Sequence, residues 1–410
     1  MRFYRVNEDW AAHLTGDFRA EVQRALRGLS LAGIQKYPPP KIGGLPFGNE
    51  SRVFLRYVKG ESSQLDASAL STLYHSFASQ RDKLLYQAFR QNEALSRTEW
   101  AEMIGAGNVE KWVENRLLRE DEDGRLRCRF SVVALDGLLY TVDPLNDHGG
   151  REETVALKDG FRQDETDEDV RPFHHTYIAQ DSLRMIENLM RQALPRGGRY
   201  LDCGPGAGAI LLYFSRRFDE AVGIDINARA AQVAQFNAEL NELKNCRTYE
   251  DDALNLCGRY GKFDFVTWNV PFIFMPDERK DLSIDGYGGE MGIELCLNFI
   301  EALPALLKEK SVAYLAAMSP ILHNNENVLE ERLRKSLPRL KLDCTVHVSQ
   351  ASWAHTRELW HFHQSFGIRK FESVYLRLRH GTGELQRVEA PATRRMLDVF
   401  REKLYQRKYA

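Results

Sequence analysis

A chain of 410 residues, 43% of them hydrophobic, is long enough for two or three ordinary cores, and its 56 Lys and Arg against 58 Asp and Glu leave a net charge of -2. That balance excludes the general basic excess with which dedicated nucleic-acid binders neutralise phosphate, although local patches stay open. Six cysteines (Cys128, Cys203, Cys246, Cys257, Cys296 and Cys344) lie far apart with no C-x-x-C pair, and no apolar run approaches the roughly 20 residues that span a bilayer, so neither a disulfide framework, a structural zinc site nor a membrane segment is expected.

The first residues, MRFYRVNEDW, have none of the apolar core of a signal peptide, and a cytoplasmic protein with reduced thiols is the expectation. Residues 1–65 read as a helical arm, DFRAEVQRALRGLSLAGI, and a linker, KYPPPKIGGLPFG, whose prolines and glycines forbid regular structure. Residues 66–150 read as an accessory domain. DKLLYQAFRQNEAL is a helix, SRTEWAEMIGA opens a second with a Ser N-cap and an acidic first turn, and NVEKWVENRLL supplies a third. In REDEDGRLRCRFSVVAL, Asp-Gly separates two strands as a tight hairpin would. Three helices and a hairpin suggest a winged-helix-like module. Its third helix could dock nucleic acid or a partner, but Glu110, Lys111, Glu114 and Arg116 give it no basic excess, and a packing domain shielding an active site is the other reading.

From about 170 to 380 strand-like and helix-like segments alternate, the pattern of an α/β sheet covered by helices on both faces. GRYLDCG, EAVGIDI, NCRTYEDDAL, FDFVTWN and SVAYLAAMSP are five strands, and KLDCTVHVS and FESVYLRLRHG two closing ones. GAILLYFSRRF, ARAAQVAQFNAELNEL and GIELCLNFIEALPALLKE are the intervening helices. The last region, 381–410, ends in a basic amphipathic stretch. Met396, Leu397, Phe400 and Leu404 would dock it as a C-terminal helix, or its charge would touch RNA or an acidic partner.

Directly after the first strand, LDCGPGAG sets Asp202, Gly204, Gly206 and Gly208 in a D-x-G-x-G-x-G spacing. Such a turn lets a nucleotide-containing ligand lie against the backbone, and Gly204, Gly206 and Ala209 equally satisfy a dinucleotide pattern. Asp225, with Ile226 beside it, ends the second strand where a carboxylate accepts both ribose hydroxyls of an adenosine ligand, which NAD and S-adenosylmethionine (SAM) share. Asp251 and Asp252 follow the third strand, where either accepts from an adenine amino group or caps a helix.

The fourth strand separates the two cofactors, because it ends in Asn269, Val270, Pro271 and Phe272. The Asn side-chain oxygen and the carbonyl of Val270 can accept the two N–H bonds of a substrate amine or amide, which points its lone pair at a methyl on sulfur. Phe272 would stack on a planar acceptor, and Pro271 would stiffen the turn.

On these motifs, residues 170–380 resemble the class I SAM-dependent methyltransferases, and within them the N-methylating branch that carries N-P-P-(Y/F), including release-factor glutamine and ribosomal-RNA guanine-N2 methyltransferases. LDCGPGAG is similar to their first motif, GIDIN to their ribose-binding acid, NVPF to their catalytic loop and GYGGEMGIELCLNFIEAL to the Gly-Gly-x-x-Gly segment behind that loop. Val270 stands where most members have proline. An aliphatic residue there is usual in ribosomal-RNA adenine-N6 dimethyltransferases, so the departure bears on the substrate more than on the chemistry. The N-terminal half with HHTYIAQDSL also resembles two-part bacterial methyltransferases.

The resemblance implies a seven-stranded, Rossmann-like domain that binds SAM through Asp202, Gly204, Gly206, Gly208, Asp225, Ile226, Asp251, Asp252 and Asn269. Asn269, Val270, Pro271 and Phe272 would serve the transfer, a direct in-line displacement. The acceptor would be an amide or amine of a protein, peptide or small molecule, or else an RNA base, and a SAM-binding regulatory protein without catalysis is the remaining alternative. His355, His361 and His363, with His174 and His175, match no zinc pattern, and no metal is expected. WAHTRELWHFHQSFG, rich in Trp and His between two late strands, reads as a lid candidate.

Overall fold

In the computed structural model the chain is described at residues 2–3, 10–29, 80–89, 92–143, 155–156, 176–178, 180–256, 258–277, 286–352, 357–391 and 402. The proline-rich linker, His174, His175, His355, Cys257 and the four apolar tail residues fall outside this set.

Toward the N-terminus, Arg2–Phe3 (β1) pairs antiparallel with Val155–Ala156 (β6), and a 3-10 turn at Trp10–His13 precedes helix Gly16–Gly28 (α1). Among the described residues three helices follow: Gln80–Phe89 (α2), Arg97–Ile104 (α3) and Ala106–Glu114 (α4). Ser96 caps α3 reciprocally with Glu99, each side chain accepting from the other's backbone N–H, which satisfies two of the orphan donors of a helix start. Strands Leu118–Glu120 (β2) and Leu126–Cys128 (β3) then pair antiparallel around Asp123-Gly124. The sequence ran the second strand on to Leu135. The chain instead breaks at Arg129-Phe130 and starts a second hairpin, Ser131–Leu135 (β4) with Leu138–Val142 (β5), turned at Asp136-Gly137.

The rest is an α/β unit of Gln180–Met190 (α5), Arg199–Cys203 (β7), Ala209–Ser215 (α6), Glu220–Asp225 (β8), Ala228–Leu240 (α7), Cys246–Glu250 (β9), Phe263–Asn269 (β10), Glu294–Leu306 (α8) and Leu307–Leu322 (β11). Val328–Leu340 (α9), Leu342–Ser352 (β12), Arg357–Ser365 (α10), Ile368–His380 (β13) and Leu385–Val388 (β14) complete it. The sheet order is β14-β12-β13-β11-β10-β7-β8-β9. β9, β8, β7, β10 and β11 run parallel, and β13 is antiparallel to both β11 and β12. The sheet is therefore Rossmann-like and mixed, with eight strands where the sequence suggested seven. The added strand, β14, pairs parallel with β12 inside the stretch assigned to a C-terminal helix, because Asp343 holds the turn before it by accepting from the N–H groups of Thr382, Gly383 and Glu384.

β8 lies on one side of β7 and β10 on the other, so strand order reverses there and a crevice opens beyond their carboxyl ends. Two cores clamp the sheet. One runs from Trp10, Trp100, Trp112 and Phe130 through Leu211 and Phe236 to Phe265, and the other joins Leu201, Val266, Val270, Phe299 and Leu315 beneath α8 and α9. Among the described residues no helix is long and apolar enough to cross a membrane.

Candidate active site

The crevice is built from the ends of β7, β8 and β10. Gly204, Gly206 and Gly208 all take positive φ, at 60°, 56° and 89°. Open space faces Gly206 where a side chain would project, so the backbone there can be approached closely. Asp225, 8% exposed, ties the turn to β8: the N–H of Gly206 donates to Oδ2 at 3.0 Å and that of Asn227 to Oδ1 at 2.9 Å. Beside it Ile226 is 58% exposed, an aliphatic surface at the rim.

Asp202 is fully buried, and its Oδ1 accepts from the hydroxyl of Thr267, its register partner on β10, at 2.6 Å. Thr267 Oγ1 is in turn 2.7 Å from the hydroxyl of Tyr200. Oδ2 of Asp202 is buried with no partner. Burial pushes this carboxyl up to about 8, and the hydrogen bond from Thr267 opposes the rise.

The two acids after β9 are already engaged. Asp251 accepts from the N–H of Asp252 at 2.9 Å, from Arg259 at 2.6 and 2.7 Å and from the Tyr260 hydroxyl at 3.0 Å, and against burial, which raises it, these partners hold its carboxyl below the usual range. Asp252 caps the short turn Ala253–Asn255, accepting from Leu254 N–H at 2.9 Å, which is the helix-cap reading of that residue.

At the end of β10 the amide oxygen of Asn269 is buried and has no hydrogen-bond partner. The next residue turns inward: Val270 is 1% exposed, its side chain belongs to the second core and its N–H donates to Ala316 O at 3.1 Å. Burial gives the aliphatic residue at this position a packing role. Pro271 and Phe272 are half-buried. Behind them Ile273 N–H donates to Gly286 O at 2.6 Å, and Gly288 N–H donates back to Ile273 O at 3.0 Å. A Cβ on Gly288 would lie 2.8 Å from Phe272 Cα, so the glycine segment supports the turn by backbone-to-backbone contact.

Two further residues shape this crevice that the sequence reading passed over. Trp268 reads as one more apolar strand residue, yet its Nε1 lies 3.1 Å from where a Gly204 Cβ would stand. Asn237 is a fully buried polar residue inside the apolar stripe of α7, and its Nδ2 holds the carbonyl of Ala207, in the glycine turn, at 2.9 Å. A buried amide on a helix's core face is the available signal for such a residue. Of the histidines singled out in the sequence, His361 and His363 are among the described residues. His363 is buried against Phe274, His361 is exposed, and among the described residues no group of three or more His, Cys, Asp or Glu could hold a metal.

An open backbone cradle at Gly206, a carboxylate at the second strand end and an orphaned acceptor on Asp202 fit the adenosine and amino-acid portions of SAM. Residues 201–284 match the family model described as a methyltransferase domain. Over 148 residues the chain is 31% identical to a putative protein N5-glutamine methyltransferase of Methanocaldococcus jannaschii, covering 34% of this chain and 71% of that protein. It is 27% identical over 177 residues to an uncharacterized RNA methyltransferase of Chlorobaculum tepidum, covering 42% of this chain and 36% of the relative. A release factor glutamine methyltransferase of Aliivibrio fischeri is 27% identical over 95 residues, 23% of this chain and 34% of that one. The chain thus spans about a third of the length of the last two.

The matches to the methyltransferase-domain model and to the Methanocaldococcus protein make the chain a SAM-dependent methyltransferase. This chain belongs to the class I SAM-dependent methyltransferase family, with S-adenosylmethionine as its cofactor.

Proposed function

We propose that the protein methylates an amide or amine nitrogen, with a protein or peptide side chain as the favoured acceptor. The observation that carries this reading is the partnerless, buried amide oxygen of Asn269 at the end of β10, one strand away from the glycine turn. An acceptor left unpaired there takes one substrate N–H, and the carbonyl of Val270, whose residue is fixed by the bond to Ala316, takes the second. SAM supplies the methyl group from its sulfonium. Alignment of this kind contributes about 7–11 kcal/mol without any covalent intermediate. Asn269, Val270, Pro271 and Phe272 then form an N-x-P-aromatic acceptor turn, while Asp225, Ile226, Asp202 and the glycines hold the cofactor. Asp251 and Asp252 act at the adenine end indirectly, through the Arg259 and Tyr260 pairs and the turn cap.

The names of the Methanocaldococcus and Aliivibrio proteins support a glutamine amide as acceptor. An RNA base is the second reading, favoured by the name of the Chlorobaculum relative. Helices α2 to α4 and the β2–β3 hairpin support a winged-helix-like accessory unit over residues 66–150. Its Lys111 pairs with Glu21 of α1 at 2.7 Å and Arg97 with Glu110 at 2.7 Å, which favours packing over nucleic-acid docking.

Methyl-labelled SAM incubated with fractionated cell lysate tests the reading. Label is expected in the protein fraction. Label in RNA with binding that weakens steeply in salt selects the second reading, and no label anywhere selects a binding-only protein. Asn269→Ala is expected to cut the transfer rate by about 10² or more with SAM affinity nearly intact, and Asp225→Ala chiefly to weaken SAM binding. Equal loss of both properties in the Asn269 variant contradicts the assigned role.

A further inference from the structure

The acceptor turn is held from three sides. Ala316 of β11 fixes Val270, and the glycine segment backs Phe272. The third support comes from α10, the helix inserted between β12 and β13. His363 of this helix is 7% exposed, and its Nε2–H donates to the carbonyl of Phe274 at 2.8 Å. The ring lies nearly parallel to that of Phe274, with centroids 5.7 Å apart, and edge-on to Phe371 at 4.9 Å. Phe362 of the same helix and Phe366, just past its end, close on Phe274 at 4.8 and 4.9 Å.

A phenylalanine would satisfy the packing of such a cluster. What the imidazole adds is a directional bond to one main-chain carbonyl, two residues beyond Phe272. Burial holds the ring below its ordinary pKa, so the neutral tautomer with hydrogen on Nε2 is the donor. We infer that His363 is a positioning residue for methyl transfer: by fixing the carbonyl of Phe274 it keeps Phe272 and Asn269 aimed at the acceptor nitrogen, and α10 thereby belongs to the acceptor side of the site. This rests on the reading of Asn269 to Phe272 as the acceptor turn.

Two measurements on the full chain test it. His363→Phe keeps a planar ring and removes the donor, whereas His363→Gln keeps an N–H. His363→Phe is expected to speed hydrogen exchange at the amides of Val270, Ile273 and Gly288 selectively. It is also expected to slow label transfer from SAM into the accepting lysate fraction by about tenfold, with SAM affinity unchanged. His363→Gln recovers most of both. Phe366→Ala strips a ring from the cluster, leaves the bond and serves as the packing control. Unchanged exchange at those amides overturns the inference, as does a Phe366→Ala rate loss equal to that of His363→Phe. If His363→Phe does not fold, His363→Gln decides: exchange and rate close to the parent support the bond, and a tenfold rate loss overturns it. Parental rates in His363→Phe beside a dead Asn269→Ala remove the inference and leave the function standing. Full activity in Asn269→Ala removes the function reading instead, while the exchange measurement still reports on the bond.

Discussion

Asp202 and Asn269 sit at the carboxyl ends of adjacent strands, and each keeps one buried oxygen without a partner. A buried polar oxygen left unpaired costs about 1–3 kcal/mol, so two of them on neighbouring strands mark a place where the chain gives up stability for a ligand. For Asp202 the cost has a pH signature. Its carboxyl titrates near 3.8 when exposed and about 8 in the fold, so between these values the folded chain binds a proton that the unfolded chain has released. Stability from this group is complete below the lower value and is lost as pH rises through the upper one, with a slope of up to about 1.4 kcal/mol per pH unit. Asp202→Asn retains an acceptor for Thr267 and cannot ionise. Its stability relative to the parent is therefore expected to rise between pH 6 and pH 8.5 in SAM-free denaturant titrations. A constant difference across that range refutes the buried-carboxyl account.

At the scale of elements, the turn that presents Asn269 depends on a second turn that lies against it. Gly288 has Phe272 Cα and Gly292 O each 2.8 Å from the position of an added Cβ, and both atoms are backbone, which yields less readily than a side chain. Gly288→Ala is expected to displace Phe272 and lower the transfer rate by about 10² at unchanged SAM affinity, a split that rate and calorimetric measurements resolve. Loss of SAM binding in step with the rate contradicts it. Elements of this kind were legible because their signals are local. The glycine spacing of LDCGPGAG, the acid closing GIDI and the amide closing FDFVTWN all lie within one strand and its turn. The break between β3 and β4 and the existence of β14 were not legible. β14 is four residues long and held by Asp343, some forty positions earlier, so no window around Leu385–Val388 contains its cause. Likewise, the engagement of Asp251 by Arg259 and Tyr260 appears only once the chain after the Ala253–Asn255 turn folds back.

Across the whole molecule, a division near residue 150 separates less than the sequence suggested. Asn237 of α7 and Asn241, which caps its C-terminus one turn later, pair their amides with the backbone of Thr141 and Leu139 and so serve the edge of β5 as a neighbouring strand would. Trp10 packs on Phe130 at 5.2 Å and on Phe236 of α7 at 6.5 Å, joining the N-terminal helices to the α/β unit in one continuous core. At the junction lies a buried ion pair. Arg229, at the start of α7, donates to Asp143 at 2.7 Å, and Asp143 also accepts from Trp10 Nε1 at 2.7 Å and from the N–H and hydroxyl of Thr176 at 2.7 and 3.0 Å. The two charged side chains are 7% and 0% exposed, so removing one strands the other in low dielectric. Asp143→Asn is expected to destabilise the chain by about 3–5 kcal/mol, and adding Arg229→Met, which removes the stranded charge, to recover part of that loss. Because the pair sits inside a shared core, its loss is felt on both sides: hydrogen exchange in α3 and α4 and in β7 and β10 should shift to lower denaturant by the same amount. Helices that open early while the sheet keeps its midpoint would show two independent units, and the accessory region would then be a tethered neighbour of the α/β unit rather than part of a shared core.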